Sequence, residues 1–85
     1  MLENTEHLDR ALQEEFSGHK DTIHALKTKN NHFKKLLVTN HELWTQIQNI
    51  QTGVTPKDDV TLENLEKQRL IVLDEIAAII AKYEH

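Results

Sequence analysis

The side chains that could carry out nucleophilic catalysis are few and are not grouped. Ser17 is the one serine of the chain, and no glycine-rich elbow or partner acid at a recognisable spacing accompanies it, as an activated nucleophile would require. The chain has no cysteine, so a thiolate site and a disulfide are both excluded. The sequence therefore predicts no catalytic residue, no cofactor and no small-molecule substrate.

Histidine and carboxylate side chains occur in pairs at close spacing, at Glu3 with His7 and at Asp21 with His24, with His19 nearby. A metal site needs further ligands on the same face, and no third ligand lies three or four residues from both members of either pair. Neighbouring acids such as Asp74 and Glu75 diverge on a helix and cannot share a proton. We interpret these groups as solvated or salt-bridged and predict no metal site.

The composition favours helices over a sheet. Only two glycines and one proline interrupt 85 residues rich in Leu, Ile, Glu, Lys and Gln, which are residues of high helix propensity or core-forming residues. No apolar run approaches the roughly 18 residues of a membrane-spanning helix, and the amino-terminal residues lack the features of a signal peptide. We expect an all-α protein in the cytoplasm, without a membrane partner.

The longest regular pattern lies between residues 20 and 51, where apolar and amide positions alternate in steps of three and four, as in the seam of a packed helix. These positions are Ile23, Leu26, Asn30, Phe33, Leu37, Asn40, Trp44 and Ile47. Gly53 is suited to end this helix. The pattern predicts one long helix over about 20–51.

A second helix is predicted over about 56–83, with Thr55 as its cap and Pro56 in its first turn. So short a connection makes the two helices antiparallel neighbours and brings Asn40 opposite Arg69. That pair is either a polar layer that sets the register or an arginine that lays its stem on the core and points its head to water. The fold predicted for residues 17–85 is an antiparallel two-helix coiled-coil hairpin.

Residues 1–16 are predicted to be an amino-terminal extension with a short helix over about 5–16. The second helix carries more apolar surface than one neighbour can cover, and Ile71 points away from the rest. Either the extension or a second copy of the chain must cover the wide face. We expect partner binding on this face, at Leu73, Ile76, Ala77, Ile80 and Tyr83.

Several runs along the chain resemble a known family. They are Phe16 to Lys27, Asn30 to Phe33, Asn40 to Leu43 with Ile47, and Leu65 to Leu70 followed by Asp74, Glu75 and Ile76. In order and spacing, over about residues 16–83, this resembles the YdcH-like family of small bacterial proteins of unknown function. The resemblance implies a cytoplasmic helical hairpin without established activity, and residues 1–15 outside the shared part. Ser17 departs from the proline that such proteins can carry there.

The function expected from these features is non-enzymatic. We predict an interaction module that self-associates as a homo-oligomer or binds a helical protein partner. The alternative is a small nucleic-acid-associated regulator that uses the lysine-rich face at Lys27, Lys34 and Lys35. A formal net charge of −4 makes nucleic acid the less favoured partner, because the overall field repels phosphates.

Overall fold

The computed structural model describes Leu12, residues 15–55 and residues 57–85. A 3₁₀ turn at Ser17–His19 leads into helix α1 (Lys20–Lys29), which is followed by α2 (Asn31–Gln51) and α3 (Asp59–Glu84). Over these described residues every regular element is helical, so the prediction of an all-α protein is confirmed. The helix predicted over 5–16 falls largely outside the described residues.

The predicted helix over 20–51 is in fact two helices, and this is a correction. Asn30 separates α1 from α2 with an extended backbone, at φ −127° and ψ 106°. Its side-chain Oδ1 accepts a hydrogen bond from the backbone N–H of Phe33 at 3.0 Å, which satisfies one of the free donors at the start of α2. Asn30 is therefore the cap of a new helix and not a member of the seam.

The connection between α2 and α3 is longer than predicted. Gly53 has φ +83°, a left-handed conformation that glycine adopts without strain, and it ends α2 as expected. The start of α3 is a second correction, because the helix begins at Asp59 and not at residue 56. Its cap is Asp58, whose Oδ1 accepts from the backbone N–H of Thr61 at 2.9 Å. Pro56 lies outside the described residues.

The core is built by side chains from all three helices and from the segment before them. Its buried members are Leu12, Ile23, Leu26, Phe33, Leu37, Leu73, Ile76 and Ile80. Leu12 is 1 % exposed, and Phe16 packs against the same cluster. The amino-terminal extension thus contributes to the main core of its own chain through these two residues.

Polar contacts join α3 to the earlier elements along its length. His19 contacts Glu84, His32 contacts Glu75, and Arg69 contacts Asn40. As the residue numbers rise from His19 to Asn40, the numbers of their partners in α3 fall from Glu84 to Arg69. The contact between Asn40 and Arg69 confirms the pairing that the sequence predicts.

Candidate interaction surfaces

A buried polar layer crosses the middle of the core. Asn40 has no exposed surface, and its Oδ1 accepts a hydrogen bond from Arg69 Nε at 3.1 Å. A guanidinium nitrogen of Arg69 also lies 3.4 Å from Glu15 Oε1. The arginine head therefore joins α2, α3 and the segment before the 3₁₀ turn, instead of pointing only to water.

The amide nitrogen of Asn40 is buried, and within the described part of the chain it has no hydrogen-bond partner. A buried polar group without a partner costs stability. The layer is therefore a specific arrangement with an energetic cost, and not a source of stability equal to an apolar layer.

A second polar group lies at the carboxyl end of α3. Glu84 Oε2 is 2.7 Å from His19 Nδ1, and it accepts a hydrogen bond from the Thr22 hydroxyl, also at 2.7 Å. These two hydrogen bonds, first that of His19 and then that of Thr22, hold the pKa of Glu84 below its ordinary value of 4.5. The contacts attach the end of α3 to the start of α1.

The face predicted to bind a partner is mostly inside the protein. Leu73, Ile76 and Ile80 belong to the buried core, and Ala77 is half-buried. Leu12 and Phe16 pack in the same cluster. In this conformation the three buried side chains are not accessible to another molecule, and Tyr83 alone of the five is exposed.

The large apolar side chains that α3 does expose lie mainly away from this core. Leu70 is 60 % exposed and Ile71 is 66 % exposed, and they are adjacent in the middle of the helix; Val60 is exposed near its start. The sequence pattern predicts the outward direction of Ile71. It misses Leu70, although a rotation of about 100° per residue places Leu70 to one side of the core-facing stripe.

The lysine-rich face predicted for the nucleic-acid alternative is only partly available. Lys35 is exposed, whereas Lys27 and Lys34 are half-buried, and both are already engaged in interactions within the chain. The geometry thus provides little support for a continuous basic surface.

The side chains whose types could support catalysis or metal binding are dispersed. Ser17 is exposed in the 3₁₀ turn, and Asp21 and His24 are exposed on α1. Among the residues that the structure describes, no group of three histidine or acidic side chains is arranged to hold a metal ion. Glu3 and His7 lie outside those residues.

Comparisons with protein-family models, with curated proteins and with solved structures found no match to this chain. Within the described ranges, no helix combines the length and the apolar character that crossing a membrane requires.

Proposed function

We propose that this chain is a non-enzymatic interaction module that acts by self-association. The observation that carries the proposal is the exposed pair Leu70 and Ile71 in the middle of α3. Burial of large apolar side chains against a partner stabilises the complex, by about 25 cal/mol for each Å² removed from water. The inward face of α3 is already covered by its own chain. A second molecule can therefore bury most apolar surface on the outward face.

The architecture proposed for the module is an antiparallel helical hairpin in residues 17–85, in which α3 packs against α1 and α2, with residues 1–16 as an extension. The order of the contacts between α3 and the earlier helices supports this arrangement. His19 contacts Glu84 near one end and Asn40 contacts Arg69 further along. A rigid hairpin of this kind presents the outward face of α3 in a fixed form.

Sedimentation of the full chain over a wide concentration range tests self-association. We expect the average mass to rise with concentration, and to rise less when Leu70 and Ile71 are both changed to Gln. Val54→Gln is the matched control, because Val54 is 71 % exposed but lies in the connection. A chain that stays monomeric at every concentration would contradict the proposal.

The nucleic-acid alternative has weaker support, because Lys27 and Lys34 are engaged within the chain. A fluorescence-polarisation titration with labelled DNA and RNA at two salt concentrations tests it. Phosphate binding weakens steeply with salt, so binding at low salt that disappears at high salt would favour this alternative. The resemblance to the YdcH-like family and the cytoplasmic location stay predictions.

A further inference from the structure

One side of α3 carries a set of exposed residues whose spacing is symmetric about Ile71. We name this set the outward stripe; it consists of Val60, Asn64, Lys67, Ile71, Glu75, Ala78 and Lys82, all of them exposed. Lys67 and Glu75 lie four residues before and after Ile71. Asn64 and Ala78 lie seven residues away, and Val60 and Lys82 lie eleven. With 3.6 residues per turn, these separations keep all seven on one side of the helix.

Such symmetry is what two identical helices need in order to pack against each other in opposite directions. In an interface with twofold symmetry, a residue contacts its counterpart on the other side of the axis, and the counterpart makes the same contact in return. We propose that two copies of the chain associate through their outward stripes, antiparallel, with the twofold axis at Ile71. This inference rests on the proposed function and names both its partner and its surface.

The charges of the stripe favour this arrangement over a parallel one. In the antiparallel pairing, Lys67 of each copy lies opposite Glu75 of the other, which gives two pairs of opposite charge. A parallel pairing would place lysine opposite lysine and glutamate opposite glutamate, and like charges facing each other across helices are unfavourable. The stripe therefore specifies the direction as well as the surface of association.

The remaining positions also match in size. Ile71 meets its own copy at the centre, where burial of apolar surface is greatest. Asn64 lies opposite Ala78, whose small side chain permits close approach. Val60 lies opposite Lys82, whose aliphatic stem can cover apolar surface while its ammonium group stays in water.

The composition of the outward stripe limits the strength of the dimer. Val60 and Ile71 are the only large apolar residues of the stripe, and the charged pairs at its edge remain solvated, where an ion pair contributes little and is screened by salt. Glu75 already contacts His32, at 2.9 Å between Oε2 and Nε2. We expect a reversible dimer that weakens as salt increases.

A charge exchange in the full chain tests the pairing. Sedimentation velocity over a range of concentrations is compared for the wild type, Ile71→Glu, Lys67→Glu, Glu75→Lys and the double variant Lys67→Glu with Glu75→Lys. We expect the dissociation constant to rise by roughly tenfold or more in the three single variants, which corresponds to the loss of modest interface contacts. The double variant should return close to the wild-type value, because it restores opposite charges.

Control variants separate effects on association from effects on folding. His32→Gln removes the contact with Glu75 inside the chain and should associate like the wild type, as should Val54→Glu in the connection. Circular dichroism checks that each variant keeps its helical content. Lys67 and Ile71 are exposed, so their variants remain informative even if Glu75→Lys disturbs the fold.

The outcomes distinguish this inference from the proposed function. If the wild type associates and the stripe variants associate equally well, the interface lies elsewhere, and this inference is overturned while self-association stands. If the single charge variants weaken the dimer and the double variant does not recover, the antiparallel pairing is overturned. If the wild type is monomeric at every concentration, both proposals fail.

Discussion

Arg69 donates a hydrogen bond to Asn40 across the core, from Nε to Oδ1, at a point where the asparagine has no contact with solvent. The two residues are 29 positions apart in the chain, so the bond joins α2 to α3 and not neighbouring turns. An amide and a guanidinium that replace apolar packing are favourable only when they remain together. We therefore expect this pair to contribute to the relative position of the two helices.

A double-mutant cycle measures that dependence. Asn40→Leu removes the acceptor of the Arg69 Nε–H, and Arg69→Met removes the donor to the buried Asn40 Oδ1, so each should lower the free energy of unfolding by about 2 kcal/mol. The double variant should lose less stability than the sum of the two single losses, with a coupling energy of about 1 to 2 kcal/mol. Urea unfolding gives the values. Additive losses would show that the pair does not act as a unit.

The extension before α1 should contribute measurably to stability through Leu12. Because Leu12 is buried in the main core, Leu12→Ala should reduce the free energy of unfolding by about 2 to 4 kcal/mol. Leu70→Ala removes the same atoms from an exposed position of α3 and should change stability by less than about 0.5 kcal/mol. Urea unfolding at low protein concentration compares the two. Equal effects would mean that Leu12 is not held in the core in solution.

Because Asn30 caps α2, we can predict which substitutions at this position lower the stability of the protein. Asn30→Ala removes the acceptor of the Phe33 N–H and should cost about 1 kcal/mol. Asn30→Asp keeps an oxygen in the same place and should retain most of the stability. Asn31→Ala, at the next, exposed position, is the control. If Asn30→Ala were as stable as the wild type, α1 and α2 would have joined into one continuous helix.

Acid should weaken the attachment of α3 through Glu84. Its pKa is lowered in the folded chain by His19 and Thr22, so the unfolded chain binds more protons as the pH falls. The contribution of Glu84 is therefore complete well above pH 4.5 and is lost as the pH falls through the lower folded value. Glu84→Gln should be less stable than the wild type at neutral pH, and the difference should vanish in acid.

Thermal unfolding of both proteins at a series of pH values checks this expectation. The exposed acid Glu63 supplies the control variant, Glu63→Gln. A difference between wild type and Glu84→Gln that is constant with pH would contradict a role for the ionised carboxylate.

The helices and one contact of the core could be predicted because they depend on local or nearly local features. Steps of three and four residues define the core side of each helix, and Gly53 marks where α2 ends. Once the connection is placed there, the pairing of Asn40 with Arg69 follows from counting residues along both helices. The all-helical fold follows from the local pattern, and this contact needs only the position of the connection between the two helices.

The boundaries were harder to predict because equivalent signals compete. Asn30 fits the apolar and amide seam as well as it fits a helix cap, and Thr55 and Asp58 are both good capping residues. Packing of the whole core decides between such options. The coverage of Leu73, Ile76 and Ile80 depends on Leu12, some sixty residues earlier in the chain, and helical periodicity contains no information about that contact.

The core that joins Leu12 to Ile80 also affects when the protein can fold. Its first and last members are far apart in sequence, and the contact of His19 with Glu84 spans 65 positions. During synthesis, α1 and α2 are made before the residues of α3 that cover them. They remain without their main partner until α3 is available, so the core closes late, through contacts between residues that are distant in the sequence.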